Sequence, residues 1–149
     1  MDSALRTLVL DLLAAHEVLT LATARDDGWP HASAVAYANE GLTLFAATGA
    51  HAQKVLNIRI DPRVSLTVNG AKADWSRLQG LSMAAAAEVL SSRSEIQHVA
   101  RLLRRKFPSF ADFSDLERDR GWAFLRIVPQ VISIIDYTQG FGHSLLVKL

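Results

Sequence analysis

The segment Thr48-Gly49-Ala50-His51-Ala52-Gln53-Lys54 puts a hydroxyl, a glycine, an imidazole and an ammonium within seven residues. It follows an apolar run and leads into a helix-like pattern, so a strand is expected to end in Thr48 and a helix to begin near Gly49. The first turn of a helix carries free backbone N–H groups and a partial positive charge, which together suit an anion. Gly49 lets such a group approach the backbone closely. Thr48 offers a hydroxyl, and Lys54, in the second turn, can reach back. Neither Lys54 nor a protonated His51 gains from the helix dipole at that end, so both make better sense beside an anion. The second glycine and the Lys-Ser/Thr pair of a nucleotide-triphosphate loop are missing, so that activity is not expected. A plain helix start with a solvated lysine accounts for the same residues, and physics alone leaves both readings open.

The surrounding elements must position these groups. Leu5, Leu8, Val9, Leu12 and Leu13 recur at helical spacing, and Ser3 is placed to cap that helix, which should run over residues 3–16. Val18–Ala24, His31–Ala38 and Leu42–Thr48 then read as three strands on short loops, an antiparallel meander. A helix is expected from about Ala50 to Ile60, stopped by Asp61-Pro62. Val64–Asn69 is a strand. Leu78–Leu90 is read as a strand, although Ala84–Ala87 favour helix on propensity alone. Ser92 and Glu95 have the spacing of a capping box, and the helix they open should reach Lys106, before Pro108. Arg101–Lys106 is expected to be its solvated face and end, and the charged run after Pro108 a surface loop. Trp122–Pro129 and Gln130–Tyr137 read as two strands broken at Pro129. Many short strands at this length suggest one domain over residues 1–149, mainly β, a closed barrel (18–136) with flanking helices and a tail from 137.

The 149 residues carry 16 basic and 15 acidic side chains, for a formal net charge of +1. Such a balance gives no electrostatic case for nucleic acid. Absence of cysteine excludes disulfides, thiolate metal sites and cysteine nucleophiles. No apolar run approaches the ~20 residues of a membrane span, and the first residues read as a helix and not as a leader, so a cytoplasmic protein is expected.

The order of features is more specific than any one of them. Asp27-Gly28, Pro30, Ser33, Gly41, Leu44, Phe45, Thr48, Lys54, Asn57 and Asp61-Pro62-Arg63-Val64 follow one another as in the pyridoxamine 5'-phosphate oxidase-like family. The chain resembles these FMN-binding split barrels from Val18 to Leu90, and again over Trp122–Asp136. The resemblance implies an antiparallel, Greek-key-like split barrel. It also implies a homodimer, with the cofactor between subunits and a small-molecule substrate. Thr48 and Lys54 then look like phosphate ligands, with Gly49 and His51 beside them. Ser33 looks like part of the wall facing a flavin ring, and Gln79 like a polar contact to it. The implied activity is that of a flavin-dependent oxidoreductase.

Two departures bear on that activity. Where the oxidases carry an arginine just before the lysine, this chain has Gln53. Where they carry another on the second strand, it has His31-Ala32-Ser33, leaving His31 or His51 as partial replacements. The C-terminal Arg and His pattern for a substrate phosphate is absent, so oxidation of pyridoxamine phosphate is not expected. Other members of the family bind deazaflavin or haem. The tail Gly140-Phe141-Gly142-His143 resembles that of haem-handling split barrels, in which His143 would be an iron ligand. Otherwise Phe141 packs into the core or a partner and His143 stays solvated. Trp29, Trp75 and Trp122 are read as core or interface residues, with Trp75 nearest the flavin.

Overall fold

The computed structural model describes residues 1–70, 74–109 and 121–149. Helix α1 (Ser3–Ala15) leads into strands β1 (Val18–Ala24), β2 (Pro30–Glu40) and β3 (Thr43–Gly49). Helix α2 (Gln53–Ile60), β4 (Arg63–Asn69), β5 (Gln79–Val89), α3 (Arg93–Lys106), β6 (Trp122–Asp136) and β7 (Ser144–Lys148) follow. All strand pairings are antiparallel, in the order β3-β2-β1-β4-β5-β6-β7, and β6 also pairs with β3. That last pairing closes six strands into a barrel, while β7 extends the far half of β6. The chain is thus mainly β, a split barrel flanked, among the described residues, by three α-helices, as the strand pattern suggested. Among the described residues, no helix is long and apolar enough to cross a membrane.

Period-2 alternation builds the core. In β1, Leu19, Leu21 and Thr23 point inward, and in β4, Val64, Leu66 and Val68 do. Leu19, Leu21, Val64, Leu66 and Val68 meet Val9, Leu12 and Leu13 of α1 in the main apolar cluster. A second cluster joins Phe45, Val99, Leu103, Phe107 and Phe124 under α3.

Several local expectations change. The cap of α1 is Asp2, not Ser3; its carboxylate accepts the Leu5 N–H at 2.8 Å. β5 is a strand in spite of its alanines, because β4 and β6 bond it on both sides and pairing outweighs propensity. β6 is continuous through Pro129. The register skips Gln130 between Ala84↔Val131 and Ala85↔Pro129, and this bulge accommodates the residue that has no N–H. Ser92 does occupy the N-cap position of α3, but its side chain caps nothing; it meets the Ser94 hydroxyl, and Glu95 pairs with Arg126 at 3.0 Å. Arg101 and Arg105 are exposed as expected, but Lys106 is half-buried. Its ammonium lies 3.8 Å from the Tyr37 ring centroid and donates to the Leu13 carbonyl. The charged loop expected after Pro108 falls almost wholly outside the described residues.

Gly80 is a point of close approach. A Cβ there would stand 2.9 Å from the Val68 carbonyl oxygen and 3.0 Å from Asn69 Cβ. Gly80→Ala should therefore cost about 2 kcal/mol, an overpacking penalty, because the β4 backbone has to move. Gly49→Ala, where a Cβ meets nothing within 4 Å, is the control and should be near neutral in chemical denaturation.

Candidate functional site

Helix α2 lies across one mouth of the barrel and packs on β1, β2 and β5. It begins at Gln53 rather than near Gly49, which is the last residue of β3, and no side chain caps it at Ala52. Lys54 consequently sits in the first turn, not the second. Its buried side chain reaches back to Thr48 at the end of β3, and Nζ donates to Thr48 Oγ1 at 3.2 Å. Lys54 is 9% exposed and Thr48 8%. Among the described residues no carboxylate forms an ion pair with Lys54. A buried ammonium with one neutral partner is costly, and an arriving anion relieves that cost.

Three further polar groups gather on this side. Asn57, 1% exposed, donates from Nδ2 to Thr23 Oγ1 at 2.9 Å and accepts from Gln53 Nε2 at 2.8 Å. His31 stands opposite Thr23 in the β1–β2 ladder. Its Nδ1 and the hydroxyl of Ser33 are buried without a hydrogen-bond partner. β2 joins β3 only over Tyr37–Glu40, so the stretch carrying His31 and Ser33 bonds β1 on one side and, among the described residues, has no strand paired on its other edge. Buried donors and acceptors of this kind are ordinarily satisfied, and here they border the split.

The expected set divides in two. Thr48 and Lys54 meet, Gly49 and His51 lie exposed on the turn beside them, and Ser33 lines the neighbouring strand. Among the described residues, none forms a side-chain hydrogen bond with His51. Gln79 is elsewhere. It opens β5 opposite Asp136, whereas Thr48 stands opposite Ala123 beyond the Val89↔Leu125 pair. Ten residues of strand separate Gln79 from Val89, roughly 33 Å at ~3.3 Å per residue. Gln79 belongs with the tail: its amide donates to Asp136 at 3.2 Å, and the Asp136 N–H donates to the His143 carbonyl. The Thr138 hydroxyl, with help from Gln79, holds the Asp136 carboxyl below its usual range.

Thr23 and Asn57 were missed as a pair. Their signal was a polar residue at an inward position, Thr23 after Leu19 and Leu21, and at an inward turn of α2. The tryptophans are not core: Trp29, Trp75 and Trp122 are 72%, 63% and 40% exposed. Trp122, across the ladder from Gly49, and not Trp75, is the one next to the Lys54 seat. Phe141 is 85% exposed and lies against the Tyr137 ring, 5.2 Å between centroids.

In fold, the chain is similar to ChuZ of Campylobacter jejuni (TM-score 0.84, 10% identity), covering 99% of this chain and 61% of that one. It is similar to a putative pyridoxamine 5'-phosphate oxidase of Listeria innocua (TM-score 0.72, 23% identity, 88% and 98% covered). A heme binding protein of Mycobacterium smegmatis also matches (TM-score 0.76, 21% identity), with 99% of this chain and 59% of that one covered. The chain thus spans about three fifths of the first and third. No curated protein matches it in sequence. The family model described as pyridoxamine 5'-phosphate oxidase matches residues 5–135. Six strands closed into a barrel and nearly the whole length matched place this chain in the pyridoxamine 5'-phosphate oxidase family.

Proposed function

We propose that the protein binds FMN, with the phosphate at the Lys54–Thr48 seat, and works as a flavin-dependent oxidoreductase. The observation that carries this reading is the buried Lys54 ammonium, whose only partner among the described residues is a hydroxyl. Thr48 and the first-turn N–H groups of α2 add donors, and His51 on the turn adds a cation when protonated. The unpartnered Ser33 hydroxyl and His31 Nδ1 are suited to polar atoms on a ring lying in the split. Bound flavin supplies hydride or electron transfer. The chain supplies the anchor, the wall and the exclusion of water, and no catalytic acid or base is assigned. Addition of FMN should give a perturbed flavin spectrum at micromolar concentration, followed by oxidation of reduced nicotinamide with an acceptor. Binding without turnover leaves a non-catalytic flavin-binding dimer, and preference for a deazaflavin changes the cofactor but not the seat.

Gln79 joins such a ligand only from a second copy. The outer face of the barrel supports a homodimer. Ala32–Ala22–Ser65–Ala84 and Ala34–Thr20–Thr67–Ser82–Ser133 form two in-register rows across the strands, outward-facing, small and uncharged. A face without charge or bulk allows close sheet-to-sheet packing over the ~1,600 Å² of a standard interface. Thr67→Arg places an unpaired charge in its middle, and sedimentation should show the dimer becoming a monomer; an unchanged dimer moves the interface elsewhere.

A haem reading is favoured by one local observation. His143 is exposed on a tail whose Gly140 and Gly142 have φ of 131° and 80°, and no hydrogen bond to its ring is present among the described residues. A neutral imidazole so displayed suits iron. Haem titration should then give a Soret shift that His143→Ala abolishes; an unchanged shift in that variant removes His143 as the ligand.

A further inference from the structure

The Lys54 seat depends on a helix with little to hold it. α2 is eight residues long, lacks a side-chain cap and carries no acidic residue in its first turn. Helices this short are marginal without tertiary anchors. Val55 and Ile58 are buried and seat the helix on the barrel. Direction comes from two polar pins. Lys54 reaches Thr48 on β3, and Asn57, on the same helix face at i+3, reaches Thr23 on β1. Asn57 is held in turn by Gln53, so its amide is used at both ends.

We propose that the Gln53–Asn57–Thr23 chain is a positioning device. It fixes the roll of α2, and so the place of the Lys54 ammonium, and thereby sets the preference for a phosphate-bearing ligand over the same ring without phosphate. This rests on the flavin reading above. Gln53 has its amide nitrogen committed to Asn57 and does not replace the missing arginine as a charge. The seat has one buried cation whose placement must be supplied by hydrogen bonds. Asn57 and Thr23 do not touch the ligand in this scheme; they act through Lys54.

The test uses Thr23→Val, which keeps shape but removes the acceptor, and Thr23→Ser, which restores it. FMN and riboflavin are titrated against wild type and both variants. Thr23→Val should weaken FMN about fivefold, the loss of one buried hydrogen bond, and leave riboflavin within about twofold, with Thr23→Ser near wild type. Equal weakening of both flavins, or of neither, overturns the positioning role. Amide exchange in the ligand-free protein is the second measurement. Thr23→Val should speed exchange in α2 while the barrel strands stay protected, and unchanged exchange in α2 overturns the proposal. Failure of wild type to bind either flavin sinks the functional reading alone, and amide exchange then decides this one.

Discussion

Lys54→Met should leave the protein folded and more stable while depriving it of its phosphate-bearing ligand. In the free protein the Lys54 ammonium is nearly fully buried, with Thr48 Oγ1 as its one polar partner among the described residues. Keeping a charge there costs stability, and methionine fills much the same space without one. Stability of the free form should rise by about 1 kcal/mol, the direction seen when buried charges give way to apolar side chains. With FMN the sign reverses. Loss of a charge-assisted contact to phosphate should weaken binding at least tenfold, about 1.4 kcal/mol, with riboflavin little affected. A residue present only for structure would not show opposite signs in the two states. Thermal melts with and without FMN, together with the two titrations, separate the cases. A destabilised free protein with unchanged FMN affinity would make Lys54 an ordinary structural lysine.

The largest loss of stability should come from Tyr37→Ala. Tyr37 is fully buried in the main core cluster, and its hydroxyl donates to the Leu13 carbonyl at 2.7 Å. The same carbonyl accepts Lys106 Nζ, which sits over the Tyr37 ring. One side chain thus ties the end of α1 to β2 and to the end of α3. Burial pushes the Tyr37 hydroxyl well above its usual range and pulls the Lys106 ammonium below its own. Removing the ring should cost about 4 kcal/mol, as for other buried aromatics cut to alanine. That is a large share of a typical ~5–15 kcal/mol. Tyr37→Phe should cost only about 1 kcal/mol, since the packing stays and Lys106 still satisfies Leu13. Urea denaturation of both variants checks the ratio. Similar losses in the two would locate the effect in the hydroxyl and not in the ring.

Legibility in the sequence followed the range of the forces involved. Strands with strict alternation, such as Val18–Ala24 and Val64–Asn69, could be read to within a residue, because one face is core and the other is not. The Ala84–Ala87 run was legible only through its neighbours, since its strand state comes from pairing on both sides. Pro129 misled because a bulge at Gln130 is a two-strand event invisible in one strand's sequence. The start of α2 was misplaced because Gly49 completes a ladder with β6 from far along the chain, and this pushes the helix start to Gln53. That Thr48 and Lys54 could meet was legible from residue type and spacing. Thr23 and Asn57 are 34 residues apart and needed the closed barrel to bring them together. Gln79 was placed by resemblance alone, and one chain puts it at the other end of β5.

The most direct measurement is a paired titration of purified protein with FMN and with riboflavin, followed by flavin fluorescence and absorbance. The two ligands share the ring and differ in the phosphate. The expected result is FMN binding at micromolar concentration or tighter, riboflavin at least tenfold weaker, and a gap that closes in Lys54→Met. Equal affinity for the two flavins, or a gap that survives loss of Lys54, would contradict a phosphate seat at the mouth of this barrel.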